Sequence, residues 1–90
     1  MIDISLFDLN IGQSAIISGN HADGPIRRRL LDLGLTDGAK ATCLYAAPSG
    51  DPKAYWVRGT VIALRKEDAQ KITSQNTPVF SNQKEATVWA

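Results

Sequence analysis

The chain has little of what chemistry usually needs: among ninety residues there is one cysteine, Cys43, and one histidine, His21. A single thiol excludes an internal disulfide and fits a reducing, cytoplasmic compartment. One imidazole is too few for the two-histidine, one-carboxylate set of many transition-metal sites. Asp51 with Asp23 or Asp37 shows no ligand spacing, so neither metal nor cofactor is expected. There is no glycine-rich phosphate loop and no nucleophile elbow. Nothing in the pattern brings a third group to orient His21 and Cys43 as a catalytic pair, so the chain does not read as an enzyme. Apolar runs are short; the stretch Val61 to Leu64 falls far below the ~20 residues that span a bilayer. The opening MIDISLFDLN carries acids and no apolar core, unlike a signal peptide. Ten basic residues face nine acidic ones, so bulk charge steers the chain toward neither nucleic acid nor anionic lipid.

What is present is an ordinary globular composition, 43% hydrophobic and 21% charged, which argues against disorder. The length makes one domain with a small core, in which each large apolar residue counts. Residues 5–11 read as an entry turn anchored by Leu6, Leu9 and Ile11. Residues 14–18 follow as a first strand after the turn signal at Asn10 to Gly12. Residues 39–47 alternate Ala39, Ala41, Cys43 and Tyr45 against a second face, a strand whose tyrosine is expected in the barrel wall. Pro48-Ser49-Gly50-Asp51-Pro52 is a breaker cluster and hence a loop. Residues 53–57 and 60–64 are two β-rich runs around Arg58-Gly59, a hairpin signal. Residues 65–69 read as a single polar helical turn, and 71–74 as a closing strand. About five short strands with two small helical inserts predict a mostly β barrel, closed because open edges invite pairing.

Between the first two strands lies PIRRRLLDLGLTDG, residues 25–38. Pro25 suits a first helical turn, Asp23 or Gly24 can cap it, and Gly34 supplies a left-handed stop. The spacing predicts a helix over about 25–33 with Ile26, Leu30 and Leu33 as one apolar stripe, plugging an end of the barrel. Arg27, Arg28 and Arg29 step around the axis and so point apart. Arg28 can pair with Asp32, and Arg29 can lay its stem along the stripe. Leu31 lies off the stripe and is expected under the Leu6/Leu9 segment; if uncovered, it is a contact point beside Arg27. Tyr55 and Trp56 are adjacent in a strand, so one faces the core and the other is exposed near the Pro48–Pro52 loop.

Taken in order, Leu6-Phe7-Asp8-Leu9 with Gly12, then residues 27–38, then the Pro48 to Pro52 loop, Val57-Arg58-Gly59, and Ala63-Leu64-Arg65-Lys66-Glu67-Asp68-Ala69 resemble the ferrous iron transport protein A (FeoA) family. The resemblance runs from about residue 5 to 73; each motif alone is weak, and their order and spacing are specific. It implies an SH3-like barrel in residues 1–75. It also implies a cytoplasmic accessory protein that acts by protein–protein contact on FeoB, the membrane Fe²⁺ transporter with a GTPase domain. The same barrel forms a C-terminal module of iron-dependent repressors, whose helix-turn-helix domain this chain has no room for. The chain departs from the family at Asp37, where many relatives carry proline, and after Thr73. Residues 76–90 are set apart as an extension in which Phe80 and Trp89 fold onto a barrel edge, dock on a second molecule or stay loose. The residues nominated for partner contact are Arg27, Leu31, Tyr55, Trp56 and Arg58. Two other readings stay open: a nucleic-acid-binding small barrel, and an SH3-like peptide binder in an unrelated assembly.

Overall fold

The computed structural model describes residues 3–76. The expectations for Phe80 and Trp89, and for a separate extension, lie outside the described residues.

Among the described residues six strands form one antiparallel sheet, where about five were expected. They are β1 (Asp3–Ser5), β2 (Ser14–Asn20), β3 (Lys40–Ala46), β4 (Lys53–Val57), β5 (Thr60–Leu64) and β6 (Ile72–Asn76). Two helices are inserted, α1 (Gly24–Asp32) and α2 (Lys66–Ala69), and a 3₁₀ turn spans Leu6–Asp8. The sheet order is β1-β6-β2-β3-β4-β5. The missed strand is β1, three residues long, whose partner β6 lies at the far end of the described chain, with Asp3 opposite Gln75.

The sheet curls because the chain leaving β1 is fastened to β4, four places away in the order. The buried Tyr55 hydroxyl donates to the Leu6 carbonyl at 3.1 Å. The Lys53 ammonium donates to the carbonyls of Phe7 and Leu9 at 2.7 and 3.0 Å and stands over the Phe7 ring. The barrel interior is then filled from alternate positions of the strands, as the two-residue period requires. Ala15 and Ile17 come from β2, Ala41 and Cys43 from β3, Tyr55 and Val57 from β4, Ile62 and Leu64 from β5, and Ile72 from β6. Leu6 and Leu9 are fully buried, as their role as anchors requires.

Four expected core residues lie outside. Ile11 is exposed, because it sits on the turn that leads into β2. Tyr45 is 58% exposed: a bulge between Cys43 and Tyr45 inserts one residue and turns the tyrosine to the outer face. In α1 only Leu30 is buried, while Ile26 and Leu33 are exposed, because the helix touches the barrel along a single turn.

The end of α1 follows the expected stop in detail. Gly34 has φ +102°, and its N–H donates to the Leu31 carbonyl at 2.9 Å. The Leu35 N–H reaches the Leu30 carbonyl at 3.1 Å, which completes a Schellman motif. Leu35 and Leu30 are both buried, so the motif also docks the helix. At the other end Asp23 occupies the cap position in extended conformation, but its side chain makes no capping bond. The Pro48–Pro52 loop has a structural task as well: the Asp51 carboxylate accepts the Lys66 N–H at 2.9 Å and caps α2.

Candidate protein-docking site

The nominated residues do not form one cluster. Tyr55 is the inward member of its pair: it has no exposed surface, and its hydroxyl is committed to Leu6. It therefore cannot touch a partner. Burial raises its phenol pKa, and the neighbouring Cys43 and Asp8 add to the rise. Trp56 is the outward member, 47% exposed. It does not lie beside the Pro48–Pro52 loop as expected, because β4 leaves that loop at Lys53 and carries Trp56 to its other end. The exposed aromatic at the loop end is Tyr45, opposite Ala54.

Arg27 is held against β2. Its guanidinium donates to the Asn20 carbonyl at 2.6 Å, and the Asn20 side-chain amide donates back to the Arg27 carbonyl at 3.2 Å. Arg28 pairs with Asp32 at 3.3 Å, both largely in solvent, where such a pair contributes little. Leu31 is half-buried and lies outside the main apolar core.

Trp56 and Arg58 do come together. Val57 pairs with Thr60, so Arg58-Gly59 is a two-residue turn, with φ +50° and +81°. Two positive φ values are what the right-handed twist of a hairpin selects, and glycine accepts one without strain. Arginine at the first position is unusual. Its stem lies across Gly34, where an added Cβ would stand 3.3 Å from Arg58 Cδ, and its guanidinium donates to Thr36 Oγ1 at 2.9 Å. The turn is thereby tied to the segment that ends α1.

Trp56 lies between Thr42 on β3 and Val61 on β5, in a row across the outer face. Val61 is 48% exposed, so the indole and the valine make a continuous apolar patch. Beside it is an open groove of about 380 Å³ lined by Gly38, Ala39, Lys40, Thr42, Trp56, Arg58 and Gly59. Lys40 belongs to this site and was missed by sequence reasoning; the signal for it was its place on the outer face of β3, two residues from Thr42. A second groove, about 220 Å³, runs between α1 and the β5–α2 segment, with Ile26, Arg29 and Leu33 on one side and Ala63, Arg65, Glu67 and Asp68 on the other.

Among the described residues no group of three or more His, Cys, Asp or Glu side chains is placed to hold a metal ion. His21 contacts Thr73 Oγ1 at 3.2 Å. Cys43 is buried, and burial raises its thiol pKa, with Lys53 partly opposing. Among the described residues no helix is long and apolar enough to cross a membrane.

Comparison with known proteins gives a consistent result. The FeoA domain model matches residues 4–75. A fusion protein of Porphyromonas gingivalis, an Fe²⁺ transport protein A joined to an Fe²⁺ transporter FeoB, is 36% identical over 67 residues; these cover 74% of this chain and 8% of that protein. The solution structure of FeoA from Chlorobium tepidum is 32% identical, covers 97% of this chain and 81% of its own, and superposes with a TM-score of 0.79. The crystal structure of Stenotrophomonas maltophilia FeoA complexed with zinc, described as a procaryotic SH3 domain protein, is 29% identical over 80% of this chain and 89% of its own, with a TM-score of 0.71.

Proposed function

Because the chain belongs to the FeoA family, we propose that it is a non-enzymatic accessory protein of ferrous iron uptake, acting at the cytoplasmic face of a FeoB-type transporter by protein–protein contact. The observation that carries this reading is the Porphyromonas gingivalis fusion, in which a segment similar to this chain and a FeoB transporter share one polypeptide. Covalent linkage of two modules fixes a high effective concentration of each for the other, which is useful when separate chains must otherwise meet. The Stenotrophomonas maltophilia protein has likewise been put forward as a ferrous iron transport activating factor. The site supports the same reading: a half-exposed tryptophan and a cationic hairpin on a rigid barrel suit protein recognition.

Deletion of this chain is expected to lower Fe²⁺ uptake at limiting iron, with restoration by the intact chain. Unchanged uptake in the deletion strain would overturn the proposal.

A further inference from the structure

We propose that the groove between the β4–β5 hairpin and the start of β3 takes an acidic peptide segment of a protein partner, with Trp56 as its apolar floor and Lys40 and Arg58 as its carboxylate contacts. The proposal rests on the accessory-protein reading for who the partner is, and on the groove alone for the partner's chemistry.

Charge complementarity selects the occupant. The groove's lining holds two cations, Lys40 and Arg58, and no acid. Asp37, the acid nearest along the chain, is exposed and outside that lining. The ion pairs among the described residues are Arg28 with Asp32 and Arg65 with Glu67, so neither groove cation is neutralised within them. The groove between α1 and α2 offers the contrast: two cations, Arg29 and Arg65, line it together with two acids, Glu67 and Asp68, the charges balance, and nothing selects a ligand.

Arg58 is also presented rather than loose. The positive φ of its backbone is a conformation that residues of its type adopt at a cost, and such cost concentrates at functional positions. Packing on Gly34 and the bond to Thr36 fix the side chain while using one of five N–H donors. A planar guanidinium held this way matches a carboxylate in two-point geometry. The apolar patch of Trp56 and Val61 beside it accepts an uncharged side chain next to the acid. A nucleic-acid backbone is a poorer occupant. It requires a row of phosphate contacts, whereas Arg27 is engaged with Asn20 and Arg28 with Asp32, which leaves the pair in the groove without extension along that helix.

The test begins with selection of a random displayed peptide library on the immobilised full chain. Enriched peptides are expected to carry Asp or Glu next to an apolar residue. A synthetic peptide of the enriched sequence should shift the Trp56 indole resonance. Its affinity should fall about tenfold in Lys40→Gln or Arg58→Gln, as loss of one charged contact implies, and vanish in the K40E/R58E double variant. These residues are exposed, and a circular-dichroism melt verifies that each variant is folded. No enrichment, enrichment of peptides without acids, or binding that survives the double charge reversal overturns the proposal. A second arm maps the resonances shifted by the cytoplasmic domain of the transporter. Shifts at Lys40, Trp56 and Arg58 support the groove as the partner's site, and binding that leaves them unmoved overturns it. Absence of transporter binding alongside successful acidic-peptide selection would instead overturn the accessory reading alone.

Discussion

Tyr55 and Cys43 face each other across β4 and β3, and both are held uncharged inside the barrel. Burial raises both pKa values above their ordinary 10.0 and 9.0. In the unfolded chain these groups ionise at the ordinary values, so above them the unfolded state binds fewer protons than the folded one. Their contribution to stability is therefore fully present below about pH 9 and is lost as pH rises toward the raised folded values. The urea midpoint should fall steadily above that pH, and a C43A/Y55F double variant should flatten the fall. At neutral pH Tyr55→Phe alone should cost about 0.5–1.5 kcal/mol, because it removes one of two donors to the buried Leu6 carbonyl, which keeps the Leu9 N–H. The sequence made one part of this legible: alternation requires Tyr55 and Trp56 to face opposite ways. Which of them faces inward depends on Leu6, far earlier in the chain, and no local pattern carries that. Lys40 escaped for a related reason, since its neighbours in the groove come from the hairpin and not from its own strand.

Helix α1 is the element where periodicity and packing part company. Its extent and its glycine stop were readable, because proline and a left-handed residue act locally. Its burial was not. A stripe of three apolar residues shows which face turns inward, but the depth of docking depends on how squarely a short helix meets a curved sheet. One turn makes contact, so Leu30 carries the docking while Ile26 and Leu33 stay partly exposed at the groove beside it. Leu30→Ala should therefore cost about 2–5 kcal/mol. Ile26→Ala and Leu33→Ala should stay within about 0.5 kcal/mol of the parent. Equilibrium urea unfolding distinguishes these outcomes; a large loss at Ile26 would mean that the helix docks differently. The second anchor, Leu35, had a signal in the sequence, an apolar residue directly after the glycine stop, where a Schellman motif expects one. The bulge that turns Tyr45 outward had none, because one extra residue leaves the local composition of a strand unchanged.

At the scale of the whole molecule, the fold class and the need for closure were legible from turns, alternation and open edges, while the contacts that close the barrel were not. Closure depends on β1, too short to show a period, and on Lys53, a charged residue that composition alone would assign to the surface. Its ammonium serves two carbonyls of the turn after β1. Lys53→Met keeps the apolar stem but orphans both, and should cost about 1.5–3 kcal/mol, in the range of hydrogen bonds to charged groups. If the variant unfolds at the parent's midpoint, the strap does not hold the barrel closed.

The pairing of β1 with β6 brings the beginning and the end of the described chain to one rim, since Asp3 lies opposite Gln75. Tension applied through those two ends would load the first rung of that ladder alone, and the rungs would open in succession as in a zipper. A domain built this way is a pendant, not a strut. Joined to a longer chain at both ends, it hangs beside the line of force and adds almost no span between its neighbours. Strain from a moving neighbour would first peel β1, and with it the turn that Lys53 and Tyr55 fasten to β4.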